Sequence, residues 1–243
     1  MAIRLSKRLR TLADMVADGQ RLADIGTDHG YIPIYLCQTG RIPSALAMDI
    51  GKGPLQQADT HIAEQGLSSR IETRLSDGMA ALQKNEADTI LIAGMGGGLV
   101  MKILTEGADK LTGTETLILQ PQSEIQQVRQ FLRQRGFQIT DEEMVLEDGK
   151  YYPMMKVNRQ QAADSETDEK QCQMEDAFGP VLLQKRHPVL REWLERELRT
   201  ADAVCAQLAA QPENERINTR KAQVQEKRQL ILEALKRYET ADM

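Results

Sequence analysis

Five short apolar runs, RLADI, SALAMDI, IETRLSD, TILIAGM and TLILQP, follow one another between residues 21 and 121, with helical periodicity between them. Strands that alternate with helices are joined by crossovers rather than tight turns, which makes them parallel and puts helices on both faces of one sheet. The next stretch breaks the rhythm. In MVLEDGKYYPMMKV, residues 144 to 157, two strand-like runs flank Asp148-Gly149, a tight-hairpin signal. The predicted fold is therefore α/β, a mostly parallel sheet closed by an antiparallel hairpin.

Both ends of the chain read as helix. Ile3, Leu5, Leu9, Leu12, Met15 and Val16 have near-helical spacing before a stop at Gly19. Residues 158 to 176 hold six acids, two bases and no aromatic residue, the composition of a linker or exposed loop. Beyond Gly179-Pro180 the pattern is helical. Leu190, Leu194, Glu197, Ala201, Val204 and Leu208 step by four and three, and after Gln211-Pro212 the stepping resumes at Ile217, Lys221, Val224, Arg228, Ile231, Leu235 and Tyr238. Two such helices predict an antiparallel coiled-coil hairpin. The expected organisation is residues 1–158 as the sheet domain, 159–179 as an acidic linker and 180–243 as a helical arm.

With 41% hydrophobic and 28% charged residues, the chain has the composition of a globular protein that buries a core. It has no apolar run long enough for a membrane span and no signal-peptide core, so a cytoplasmic protein is expected. Cys37, Cys172 and Cys205 have no metal-ligand spacing and read as free thiols; no metal is expected. The net charge of -5 is unevenly spread. Residues 185 to 237 carry 12 Lys and Arg against 8 Asp and Glu, leaving 19 against 28 elsewhere, and the first ten residues hold Arg4, Lys7, Arg8 and Arg10 without an acid. Such ends read either as polyanion contacts or as solvated helix faces.

The chemistry gathers at the carboxyl ends of the expected strands, where open α/β sheets bind ligands. LADIGTDHGYIPIYL, residues 22 to 36, has glycines spaced G-x-x-x-G rather than the G-x-G-x-x-G that seats a pyrophosphate, and Asp24 and Asp28 would repel phosphate. A phosphate-free, cationic nucleoside such as S-adenosyl-L-methionine suits this turn. Asp49, about twenty residues on at the next strand end, is placed to accept from ribose hydroxyls. Ser76-Asp77-Gly78 offers a carboxylate for an adenine amino group. Gly94, Gly96, Gly97 and Gly98 read either as a bare floor beside the ligand or as a tightly packed helix-cap turn.

Together the LADIGTDHGYIPIYL, MDI, SDGM and AGMGG segments, the QPQ at 120 to 122 and the DGKYYPMM hairpin resemble the bacterial tRNA (adenine-22-N1)-methyltransferases over nearly the whole chain. The resemblance implies a Rossmann-like class I methyltransferase domain, S-adenosylmethionine as cofactor and tRNA as partner. By matching position it puts Asp24, Gly26, Asp28, His29 and Gly30 around the methionine end, Asp49 on the ribose, Asp77 and Gly78 on the adenine, and Gly94 with Met95 at the floor. The chain departs from the family in carrying Asp49 where Glu is frequent, and in a longer, more acidic segment at 159 to 176.

Adenine N1 attacks a sulfonium methyl through a free lone pair, so no strong general base is needed, and an acceptor for the developing positive charge helps more. Asp28 is the first catalytic candidate and His29 the second, the latter with cofactor binding or helix capping as its alternatives. Tyr31 is either an aromatic surface for the flipped base or a core residue. Arg4, Lys7, Arg8, Arg10, Arg220, Lys221 and Arg228 are candidate RNA contacts. The protein is expected to be a monomer, with a dimer as the alternative. The rival functions are methylation of another RNA position or a small molecule, a nicotinamide-dependent oxidoreductase, and non-catalytic RNA binding or partner docking.

Overall fold

The structure is a computed structural model that describes residues 3–159, 169–212 and 214–239. The chain divides into two compact units, residues 1–165 and 166–243.

In the first unit helix α1 (Lys7–Met15) precedes β1 (Leu22–Ile25), α2 (Tyr31–Gln38), β2 (Ala45–Asp49), α3 (Lys52–Glu64), β3 (Ile71–Leu75), β4 (Thr89–Met95), α4 (Gly97–Glu106), β5 (Thr116–Pro121) and α5 (Ile125–Gln134). The antiparallel pair β6 (Phe137–Glu147) and β7 (Lys150–Arg159) follows. The strand order is β3-β2-β1-β4-β5-β7-β6, parallel through β5 and antiparallel beyond it. All five apolar runs of the sequence are strands, and the hairpin turns at Asp148 and Gly149, both left-handed (φ 50° and 74°), as a two-residue turn between twisted strands requires.

Two-sided burial follows from the strands' twofold alternation. Leu22, Ala45, Ala47, Leu91 and Ile118 face one core with Leu12, Ile34 and Ile62 from α1, α2 and α3. Their neighbours Ala23, Leu46, Met48, Ile90 and Leu117 face the other with Val100, Ile103, Val128 and Leu132 from α4 and α5.

Two boundaries differ from the sequence reading. Helix α1 starts at Lys7 rather than near Ile3, because the Ser6 side chain caps it by accepting from Leu9 N. Strand β6 starts at Phe137, ahead of the expected Met144. The acids Asp141, Glu142 and Glu143 disguise it, and Glu142, fully buried, is neutralised by Arg129 of α5 at 3.0 Å.

The second unit contains α6 (Glu169–Phe178), α7 (Pro180–Gln184), α8 (Pro188–Ala209) and α9 (Glu215–Glu239). Part of the expected linker is thus helical. Residues 160–168 of it lie outside the described residues, while Met174 and Phe178 of α6 are buried and Phe178 meets Trp193 edge-on at 6.0 Å. That apolar spacing is diluted in the sequence by the surrounding acids. Helices α8 and α9 run antiparallel, Tyr238 Oη donating to the His187 carbonyl at one end and Arg228 pairing with Asp202 further along. The residues picked out by the four-three stepping are all buried or half-buried.

Candidate functional site

The carboxyl ends of β1, β2, β4 and β5 open into a cleft of about 580 Å³. It lies where the strand order turns, β2 on one side of β1 and β4 on the other.

The β1–α2 turn supplies one wall. Gly26, Asp28 and Gly30 are all left-handed, with φ 75°, 53° and 72°. At Gly26 the left-handed backbone calls for glycine, and the end of the Met95 side chain fills the space a Cβ would take, 2.1 Å from Cε. Thr27 Oγ1 donates to Asp24 Oδ2 at 2.7 Å. Asp24 is only 6% exposed, and burial pushes its carboxyl up to about 7; the Thr27 bond opposes this, and nearby Asp49 and Asp28 add to it. Asp28, by contrast, is exposed, with His29 Nε2 at 3.4 Å from its Oδ1. At the tip of β2, Asp49 Oδ1 accepts from Gly51 N at 2.7 Å. Three carboxylates thus line one cleft.

Arg8 of α1 also lines it. Its backbone N–H donates to Glu147, its guanidinium donates to Gln120 Oε1 at 2.9 Å, and it lies 5.5 Å from the Tyr152 ring centre. Gln120 is fully buried. Arg8 was expected among the RNA contacts; the structure places it in the cleft lining, held by Glu147 at the end of β6, Tyr152 of β7 and Gln120 of β5.

The glycine run after β4 divides in function. Gly94 (φ 79°) sits at a register shift between β4 and β5 and lines the cleft with Met95. Gly96, Gly97 and Gly98 instead open α4, whose N-terminus is filled from the neighbouring loop. Gly97 N donates to Ser123 Oγ (3.2 Å) and Gly98 N to Glu124 Oε2 (2.8 Å). A helix N-terminus that would attract phosphate already holds a carboxylate of its own chain.

Of the candidate cofactor residues, Asp24, Gly26, Asp28, Asp49, Gly94 and Met95 line the cleft. His29, Gly30, Asp77 and Gly78 do not. Gly30 caps α2, and a Cβ on it would touch Ala58 at 3.5 Å. Gly78 lies against α4, where a Cβ on it would stand 3.0 Å from the Ile103 side chain, and Asp77 is exposed just past β3. His29 Nδ1 is buried without a hydrogen-bond partner among the described residues. Its ring packs with those of Tyr31 and His61, the centres 5.3 to 5.7 Å apart. Tyr31 faces the cleft.

A model of the tRNA (adenine(22)-N(1))-methyltransferase family matches residues 22–233. The chain belongs to this family. A Bacillus subtilis (strain 168) tRNA (adenine(22)-N(1))-methyltransferase is 34% identical over 234 residues, spanning 96% of this chain and 98% of its own. The crystal structure of the B. subtilis M1A22 tRNA methyltransferase superposes with a TM-score of 0.84 at 33% identity, covering 96% of this chain and 99% of that one. A putative tRNA (m1A22) methyltransferase of Streptococcus pneumoniae, solved in complex with S-adenosyl-L-methionine, gives 0.81 at 34% identity and covers 96% and 100%.

Among the remaining candidates, Arg4 and Lys7 are exposed, whereas Arg10 is paired with Asp14 at 3.0 Å and lies 4.8 Å from the Tyr35 ring centre. In the second unit Arg220 is exposed and Lys221 half-buried, while Arg228 is engaged by Asp202 at 2.6 Å. Several site features escaped sequence reasoning. His61 stands in α3 without a motif around it, and Glu124 acts through a left-handed backbone (φ 52°) that no local pattern announces. Ile50 (68% exposed) and Leu75 (50% exposed) form an apolar ledge beside Asp49, whose register partner is Leu75. Exposed apolar residues directly after a strand-end acid were the available signal.

Proposed function

We propose that the protein is a cytoplasmic, monomeric S-adenosyl-L-methionine-dependent methyltransferase that methylates N1 of adenine 22 in tRNA. The observation that carries the cofactor reading is the pairing of a buried carboxylate, Asp24, with a glycine-rich helix start already occupied by Glu124. The first favours a cation in the cleft, and the second closes the start of α4 to a phosphate. Family membership carries the acceptor.

The residues fit the cofactor by chemistry. Asp24 and Asp28 take the ammonium end and Arg8 the carboxylate, while Asp49 keeps one oxygen for ribose hydroxyls. The ledge of Ile50 and Leu75 accepts the face of the purine, and Asp77 its amino group. When bound, the cofactor supplies a methyl group on a sulfonium, an activated leaving group. The chain's own task is to bring adenine N1 into line, exclude water and accept the charge that appears on the ring. Asp28 does the last of these, with the carbonyls of the Gly94 turn. Tyr31 offers an aromatic face to the extruded base, and His61, stacked on it, with His29 tilted beside it, shapes that face.

Extruding adenine 22 costs a few kcal/mol, which phosphate contacts elsewhere offset. Arg4, Lys7, Arg220 and Lys221 serve there, with Arg10 and Arg228 weakened by their carboxylate partners. The helical arm, read as a coiled coil, supplies the last of these contacts. The test is to incubate the protein with methyl-labelled cofactor and bulk tRNA and map the labelled nucleotide. Label on N1 of adenine 22 is expected; label on another base, or none, overturns the reading.

A further inference from the structure

The QPQ segment at the end of β5 holds two glutamines with different surroundings. Gln120 is fully buried and spent on Arg8. Gln122 lines the cleft, is exposed, and its side-chain amide has no partner among the described residues. Its backbone N–H donates to the Met95 carbonyl at 2.8 Å, tying the residue to the end of β4. A Cβ placed on Gly94 would lie 3.9 Å from Gln122 Nε2, so the amide stands over the glycine floor. Thr27 is engaged with Asp24 and Arg8 with Gln120, Asp28 and Asp49 offer carboxyl oxygens, and Gln122 is the lining side chain that carries an amide, a donor beside an acceptor.

Methylation at N1 restricts how the acceptor base is recognised. The N1 lone pair must point at the methyl group, so the N1 side of the ring is unavailable to the protein. What remains is the N6–N7 edge, a donor beside an acceptor. A primary amide matches it with two hydrogen bonds, its N–H₂ donating to N7 and its oxygen accepting from N6–H. Guanine presents two acceptors, O6 and N7, on the same edge and leaves the amide oxygen unpaired.

We infer that Gln122 reads the N6–N7 edge of the acceptor adenine and adds to the preference for adenine over guanine, whose N1 carries a proton. The inference rests on the adenine-methylating function proposed above. The positive charge produced by N1 attack spreads onto the N6 amino group, so the bond to Gln122 Oε1 strengthens as the reaction proceeds. Gln122 is therefore tied to kcat as well as to binding.

The test pairs one change in the protein with one in the RNA. Gln122→Ala and the unaltered protein are each assayed on tRNA bearing adenosine or 7-deazaadenosine at position 22, the latter keeping N1 but lacking the N7 acceptor. The unaltered protein is expected to lose about tenfold in kcat/KM on the 7-deaza substrate, and Gln122→Ala about tenfold on the normal one. Combining the two is expected to add little, because both remove the same bond. Gln122 is exposed, so the variant's thermal midpoint should match the parent's. Indifference of the unaltered protein to 7-deazaadenosine, or two losses that multiply, overturns the role of Gln122. Failure of the unaltered protein to methylate normal adenosine 22 overturns the functional reading, and the inference with it.

Discussion

His61 Nδ1 donates a hydrogen bond to the backbone carbonyl of His29, 3.2 Å away, so helix α3 tethers the turn that presents Asp28 to the cleft. That turn carries three left-handed residues within five, and neither Asp28 nor His29 has a backbone N–H bond of its own among the turn contacts. The same imidazole stacks on Tyr31 at a 16° interplanar angle.

Two substitutions separate the tether from the stack. In His61→Asn the amide N–H takes the place of the Nδ1 donor, while His61→Phe keeps a ring and loses the donor. Asn is expected to hold kcat within about twofold, and Phe to lower it about fivefold, the value of one ordinary hydrogen bond. Steady-state assays on tRNA check this. The reverse ranking would mean that the stack on Tyr31, rather than the tether, holds the turn.

Asp24 makes stability and cofactor binding depend on pH in opposite senses. Its carboxyl titrates near 3.8 in the unfolded chain and is pushed by burial up to about 7 in the fold. The folded form therefore binds the extra proton, and its stabilising contribution, full below about pH 4, is lost as pH rises through 7. Asp24→Asn should accordingly gain stability over the parent at pH 8 and match it at pH 4 in urea titrations. A cationic ligand favours ionised Asp24, so cofactor affinity should rise from pH 6 to 8 with proton release near pH 6. Calorimetry in two buffers of different ionisation heat measures that release, and Asp24→Asn should abolish it.

Neighbouring glycines at the start of α4 should respond differently to alanine. A Cβ on Gly97 would lie 2.5 Å from the Ser123 carbonyl oxygen, a backbone atom that cannot step aside. On Gly98 the nearest atom is Glu124 Oε2 at 3.3 Å, the end of a flexible side chain. Gly97→Ala is expected to cost about 2 kcal/mol, or roughly 6 °C in thermal midpoint, and Gly98→Ala less than about 2 °C.

The Arg129–Glu142 pair is almost sealed from solvent, at 3% and 0% exposure. Arg129→Met alone strands a carboxylate and should destabilise by about 3–5 kcal/mol in urea unfolding. Arg129→Met combined with Glu142→Leu should recover most of the loss, since it leaves no buried charge.

Arg220 and Arg228 should contribute unequally to RNA affinity. Arg228 is answered by Asp202, whereas Arg220 has only a 3.4 Å contact with Gln223 among the described residues. Filter-binding titrations from 50 to 200 mM salt should show Arg220→Ala lowering both affinity and the salt slope, the slope by about 1. Arg228→Ala should change them less.

The sheet was legible because its signal is short-range. An apolar run between turns becomes a strand whatever else the chain does, and all five runs did, although β3, at the sheet edge, buries only Ile71 fully. Asp24, Gly26 and Asp49 were legible for a related reason: strand ends converge on one crevice, so position along the sequence predicts position in space. Gln122 and His61 were not singled out, because their surroundings come from Gly94, Met95 and His29, each distant in sequence. The place of Arg8 in the cleft was not legible, because its partners Gln120 and Glu147 lie more than a hundred residues away in sequence. Helix α6 was hidden by six acids that mask Met174 and Phe178.

The carboxylate of Glu124 at the head of α4 has a consequence for life among metabolites. Anionic metabolites are drawn to open helix ends, and this one is closed from within: Glu124 accepts from Gly98 N at 2.8 Å, so a phosphate arriving from solution has to displace part of the protein before it reaches those N–H groups.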